Sequence, residues 1–187
     1  MKYLAIIFSA FILTACGSTL KITKPQENGY YQTKTKVAPE SILVSEKVDL
    51  AKYKSMYFAK VDYENDKKYL DFYKSSIENI NYFDKVLTQT DMEQMILSKG
   101  LADKVTSVSD NIGLYHAQKN LGDFLIGELN TQHKGGYDYE AQLKVIDPSN
   151  GKVLFHVQNK ARNWDGLDQP LFLPVFNAFI DWLKANS

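Results

Sequence analysis

The 187-residue chain predicts a mixed α/β domain, a single sheet with helices packed on it. Three observations carry this expectation. In the first half, aromatic-rich extended segments alternate with segments whose apolar residues recur every three or four positions, the rhythms of strand and helix. In the second half, the nearly continuous apolar run Phe124-Leu125-Ile126-Gly127-Glu128-Leu129 is followed by an alternating one, Tyr139, Ala141, Leu143 and Val145. The chain then closes on a broad apolar helix. The resulting order is β-α-β-α-α-β-β-β-α, an α/β or α+β fold.

Residues 42–44, Ile-Leu-Val, read as a short strand or an edge addition. Residues 55–63 make a better strand, rich in aromatic side chains. A helix over 66–80 follows, with Tyr69, Phe72, Tyr73, Ile77 and Ile80 on one face and Lys67, Asp71, Lys74 and Glu78 toward water. Residues 82–87 form a second short strand. Thr90 and Glu93 have the spacing of a capping box. They open a helix carrying Met92, Met95 and Ile96, which Gly100 stops. A further helix spans 110–121, with Ser109 as its cap and Gly122 beyond its end.

The run at 124–129 suits a strand covered on both faces. Along 139–145 the alternation places Glu140, Gln142 and Lys144 opposite the apolar set. Asp147-Pro148-Ser149-Asn150-Gly151 is a turn, with Pro at a position that needs its φ and Gly at one that needs a positive φ. Residues 153–160 return as the hairpin partner. Asp168-Gln169-Pro170 then begins the last helix, Asp as cap and Pro in the first turn, running to about residue 185.

Composition removes several function classes. Lys and Arg number 22, equal to Asp and Glu, so there is no electrostatic footprint for nucleic acid. The single cysteine excludes an intramolecular disulfide and a cysteine-rich metal site. Its position carries more information. Met1-Lys2 is charged, residues 3–15 are almost wholly apolar, and the run ends in Leu13-Thr14-Ala15-Cys16. A charged start before 7–15 apolar residues is the build of a secretory signal peptide. The run is shorter than the roughly 20 residues a spanning helix needs.

Leu13-Thr14-Ala15-Cys16 resembles the lipobox of bacterial lipoproteins. That resemblance implies removal of residues 1–15 and attachment of lipid to Cys16. Two or three acyl chains make a stable membrane anchor where one does not. Residue 17 is Gly rather than Asp, and Asp there resembles the inner-membrane retention signal. In a Gram-negative host the expectation is therefore an outer-membrane lipoprotein facing the periplasm. Residues 16–45 read as the lipidated cysteine and a flexible tether, broken by Pro25, Gly29 and Pro39. About 30 such residues reach ~100 Å extended and average ~30 Å as a coil. Tyr30-Tyr31 is its exception, either a pair that docks back on the domain or a partner-binding patch. The globular domain is expected over 46–187.

Phe83-Asp84-Lys85-Val86-Leu87-Thr88, a capped helix ending at Gly100, and Asn120-Leu121-Gly122-Asp123-Phe124-Leu125-Ile126-Gly127 together resemble the TolB amino-terminal-like domain. The resemblance covers about residues 45–187 and includes the Asp147–Gly151 turn and the last helix. The penicillin-binding-protein activator lipoproteins (LpoB) and the curli secretion lipoprotein CsgG use this domain. The likeness implies a non-catalytic module that binds another envelope protein. Asp62-Tyr63-Glu64-Asn65-Asp66 departs from the short loop of small and Pro residues usual there.

Catalytic motifs are sparse. His116, His133 and His156 form no metal-ligand spacing, and there is no nucleophile elbow or phosphate loop. Asp62, Glu64 and Asp66 lack the Gly and late Glu of a calcium loop. No cofactor or metal is expected. Two regions stand out as partner surfaces. The first is Arg162-Asn163-Trp164, whose Arg and Trp are common hot-spot residues. The alternative for Trp164 is a cap on the core. The second is the last helix, where Phe172, Phe176, Phe179 and Leu183 form one stripe and Leu171, Val175, Ala178 and Trp182 another. Either that helix is wedged deeply on the sheet, or one stripe packs inside and the other, with Phe172 or Trp182, meets a partner or a second copy. Three functions follow: a lipid-anchored module that binds an envelope component, an oligomeric secretion or assembly component, or an envelope hydrolase with a dispersed site.

Overall fold

The computed structural model describes residues 20–61, 67–162 and 168–187. Its six strands form one mixed sheet in the order β1-β6-β5-β4-β2-β3. They are β1 (Ile42–Ser45), β2 (Ser55–Val61), β3 (Lys85–Leu87), β4 (Phe124–Gly135), β5 (Asp138–Asp147) and β6 (Lys152–Arg162). β2 lies parallel to β3 and β4, and the remaining pairs are antiparallel. Four helices accompany them: α1 (Lys67–Glu78), α2 (Gln89–Ser98), α3 (Asn111–Leu121) and α4 (Leu173–Ala185). The expected element order therefore holds, with β1 added at one edge.

Alternation along the strands sorts the helices to two faces. Met56 and Phe58 of β2, Leu125 and Leu129 of β4, and Ala141, Leu143 and Val145 of β5 pack with α1 and α4. Tyr57, Phe124 and Ile126 point the other way, toward Met92 and Ile96 of α2 and Leu114 and Ala117 of α3. The run at 124–127 is thus buried on both faces, as its continuous apolar character requires. β4 continues to Gly135, well past that run, because Glu128, Asn130 and Gln132 are polar and tolerate a second face left partly open to solvent. There they join Gln142, Lys144, His156 and Gln158 in a polar, partly exposed layer.

Local chemistry moves three boundaries. The capping box belongs to Thr88 and Asp91, not Thr90 and Glu93. The Asp91 carboxylate accepts from the Thr88 amide at 2.9 Å, and Thr88 Oγ1 accepts from the Asp91 amide at 3.3 Å. β3 ends at Leu87, so the helix starts at once, and Glu93 instead takes the Gln89 side-chain amide at 2.8 Å. Asp110 rather than Ser109 caps α3, accepting from the Gly113 amide at 2.8 Å. The last helix opens as a π-helical turn over Asp168–Phe172 and becomes α-helical only at Leu173. Pro174 has no N–H to return to the carbonyl of Pro170. Asn159 fills that gap, donating its side-chain amide to the Pro170 and Leu171 carbonyls at 2.9 Å each.

The largest departure concerns residues 20–45, expected as a flexible tether. They are packed against the domain. Residues 20–31 run up the groove between α1 and α4, residues 35–41 cross the far end, and β1 descends beside β6. Tyr31 anchors this strap. It is 2 % exposed, and its hydroxyl donates to the Ser76 carbonyl on α1. Asn177 of α4 brackets its backbone, accepting from the Tyr31 amide at 2.8 Å and donating to the Tyr31 carbonyl at 2.9 Å. Tyr30 donates to Asp181 at 2.7 Å, and the Lys184 ammonium sits 3.8 Å from the centre of its ring.

Candidate functional site

β6 is longer than its edge partner. β1 pairs with Phe155, His156 and Val157 only, so residues 158–162 have β5 on one side and, among the described residues, no strand on the other. Such an edge is a template for an added strand. A groove of about 640 Å³ lies along it, walled by residues 35–41 of the strap and floored by Gln158, Asn159 and Lys160, with Pro170 at its rim. Its charged groups are Lys36, Lys160 and Arg162 against Glu40. Lys160 also reaches the Glu140 carboxylate at 3.6 Å, and Lys134 reaches it at 3.2 Å. Burial alone would raise the Glu140 carboxyl, but the Gln142 amide and these two lysines hold it below the ordinary carboxylate range.

The four expected surface residues separate. Arg162 ends β6 at the groove, opposite Asp138 at the hairpin tip, and is exposed. Trp164 and Cys16 lie outside the described residues, as does the acidic stretch at 62–66. Phe172 and Trp182 are corrected: they are 0 % and 3 % exposed and belong to the core, not to a partner surface. Phe172 packs on Phe72 and Tyr73 of α1, with ring centroids at 5.5 and 5.3 Å. Trp182 stacks on Phe155 at 5.3 Å and donates its indole N–H to the Glu46 carbonyl at 3.1 Å. Both stripes of α4 are covered because the sheet lies under one, and α1 and the polypeptide at 20–48 flank the other. Sequence reasoning did not name Lys36, Glu40 or Lys160. The groove they line exists only because the strap folds back, and no local pattern signals that.

The histidines stand apart. His116 is exposed on α3 beside Tyr115. His133 contacts the Gly136 carbonyl at the hairpin tip, at 3.0 Å. His156 lies 3.3 Å from Gln142 Oε1, and burial followed by the nearby Lys144 charge lowers its pKa. Two further grooves, of about 550 and 220 Å³, include no histidine in their lining. In the larger, Asp91 pairs with Lys74 at 2.8 Å. Among the described residues no three His, Cys, Asp or Glu side chains could hold a metal ion.

The most elaborate polar cluster is a structural tie. Asp147, at the end of β5, accepts from the Tyr53 hydroxyl at 2.9 Å and from the Ser149 amide at 2.9 Å. The buried Gln118 amide reaches Asp123 at 3.0 Å and Asp147 at 3.5 Å. Burial would raise the Asp147 carboxyl, but the Ser149 amide and hydroxyl, the Tyr53 hydroxyl and the Lys52 charge bring it below its ordinary value. Burial, then Asp147 itself, pushes the Tyr53 hydroxyl above its ordinary value. A depressed carboxyl stabilises the fold above its unfolded pKa of about 3.9, and the contribution disappears as pH falls through the folded value. Asp147→Asn should therefore lower stability by about 1–3 kcal/mol at neutral pH. That difference should shrink as pH falls through the folded-state value of the carboxyl, as urea melts across a pH series would record.

No protein-family model matches the chain, and no curated protein matches it in sequence. Among solved structures, the LpoB C-terminal domain from Salmonella enterica aligns with a TM-score of 0.33 at 9% identity, covering 68% of this chain and 88% of that one. A PelC dodecamer from Paraburkholderia phytofirmans aligns with a TM-score of 0.35 at 12% identity, covering 66% of this chain and 81% of that one. At these scores neither likeness carries an argument about function.

Proposed function

We propose that this chain is an outer-membrane-anchored lipoprotein, facing the periplasm of a Gram-negative host, whose domain binds or positions another envelope component without catalysing a reaction. The observation that carries the reading is Leu13-Thr14-Ala15-Cys16 at the end of a charged-then-apolar leader. Cleavage before Cys16 would remove residues 1–15 and leave a mature chain attached by lipid, with its only thiol blocked. The groove along residues 158–162 supports the binding part. Its strand edge, open among the described residues, suits an extended polypeptide segment, whose backbone would supply the hydrogen bonds. Lys36, Lys160 and Arg162, against Glu40 at the groove and the Glu140 carboxylate that Lys160 also reaches, leave a positive excess that favours acidic side chains on that segment.

The partner test is a photo-crosslinking residue placed at Arg162 in cells, with Asn150 at the opposite end as the comparison. A discrete adduct from position 162, absent from position 150 and lost in a Lys36→Glu, Lys160→Glu variant, is expected. Equal adducts from both positions, or an adduct indifferent to charge reversal, would contradict the site. A second reading, an oligomeric assembly component, is favoured by one feature. Ile42 and Leu43 of the edge strand β1 are exposed at 39% and 48%. Two copies joined along β1 would cover them, and mass measurement of the detergent-extracted protein separates a single copy from an assembly.

A further inference from the structure

The path of the strap gives the domain two distinct ends. At one end lie the starts of β2, β3 and β4, and the Asp147–Lys152 connection between β5 and β6. Direct contacts tie this end together: the Asp84 amide donates to the Lys54 carbonyl at 2.9 Å, and Tyr53 donates to Asp147. α1 returns to the same end, because it links two parallel strands. α4 also finishes there, with Lys47 donating to the Ala185 carbonyl at 3.0 Å. The strap enters at this end: the Thr23 carbonyl accepts from the Asn79 side chain just beyond α1, at 3.2 Å. At the opposite end lie the β4–β5 hairpin, Arg162 and the groove.

We infer that the strap fixes the orientation of the domain on a lipid surface, with the Asp147–Lys152 end toward the lipid and the groove facing away. The inference rests on the lipid-anchor reading of Cys16. Four residue steps separate Cys16 from Leu20, which spans at most about 15 Å. Leu20 already packs against the core, and Tyr31 with Asn177 holds the strap beyond it. A free 30-residue coil would allow excursions of ~30 Å in any direction and impose no orientation. The ten residues of β5, Asp138–Asp147, make nine steps and separate the two ends by about 31 Å at ~3.4 Å per step. A partner reaching the groove would therefore approach from the aqueous side.

The test uses the full-length chain made in cells, with a fluorescent amino acid at Asn150 or at Tyr137. The membrane fraction is extracted and reconstituted into phosphatidylethanolamine–phosphatidylglycerol vesicles carrying an acceptor dye on the headgroup. Energy transfer from position 150 should exceed that from position 137 at least threefold. Inserting a flexible Gly-Ser segment of about twenty residues between Thr19 and Leu20 leaves the strap intact and should bring the two toward equality. Equal or reversed transfer in the retained parent chain would overturn the orientation while leaving the anchor intact. A chain that the vesicles do not retain would overturn the anchor reading, and the orientation with it.

Discussion

Tyr31→Ala should destabilise the domain by about 3–5 kcal/mol, the cost of emptying a buried aromatic site. The residue lies in the stretch the sequence presents as a tether, within the Tyr30-Tyr31 pair that either docks back on the domain or meets a partner. It docks: its ring packs against Phe176 with centroids 5.8 Å apart, and its hydroxyl reaches across to the Ser76 carbonyl. Losing the ring also loosens the two bonds between its backbone and Asn177, since nothing else on that turn is as deeply buried. Tyr31→Phe keeps the ring and removes one donor, so it should cost only about 1 kcal/mol. Thermal unfolding measures both. Trypsin at Lys34 and Lys36 adds a local readout: cleavage should accelerate in the Ala variant while the remaining core stays protected. A Tyr31→Ala protein with the parent's stability and cleavage pattern would show that the strap is not part of the fold.

Trp182→Ala is the second large effect, again about 3–5 kcal/mol. The indole is stacked between Phe155 of β6 and Phe179 one turn earlier in α4, at 5.3 and 5.9 Å. Its N–H is satisfied by Glu46, which ties the end of β1 to α4. The loss should appear in the melting of the isolated chain, because the side chain is already covered within it. Trp182→Phe should fall between, preserving the stack and giving up the bond to Glu46. If Trp182→Ala melted like the parent while abolishing capture of a partner, the residue would be a surface anchor after all.

These two residues mark where sequence reading stops. Periodicity recovered most elements because the period-2 and period-3.6 patterns are strong: the alternation at 139–145 and the apolar faces of α1 and α4 follow directly from one-sided and two-sided burial. The Asp147–Gly151 turn was legible for the same kind of reason, since Gly151 does take the positive φ, 71°, that such a turn needs. The caps at Thr88 and Asp110 were displaced by one or two residues because several Ser, Thr and Asp side chains compete there, and only the strand ends choose among them. The π-helical turn depended on Asn159 supplying an amide from another strand.

Sheet order was not legible, and the docking of Tyr30-Tyr31 and the burial of Trp182 were legible only as one of two alternatives each, for one physical reason. Each is decided by contacts between elements distant in sequence, such as Ser55 of β2 with Phe124 of β4, Tyr31 with Asn177 and Trp182 with Glu46. A polar stretch with Pro25, Gly29 and Pro39 reads as a linker whether or not two tyrosines within it find a groove. The candidate site inherits this limit. Arg162 was visible as a residue type common in interfaces, but the groove beside it is made by the strap.

The most direct measurement of the central claim is the mass of the amino-terminal peptide from protein extracted out of the membrane fraction. The account predicts a peptide that begins at Cys16, lacks residues 1–15 and carries a diacylglycerol thioether on the cysteine, with Cys16→Ser yielding neither cleavage nor lipid. A peptide with a free Cys16 thiol, whether uncut or cleaved at another bond, would contradict it.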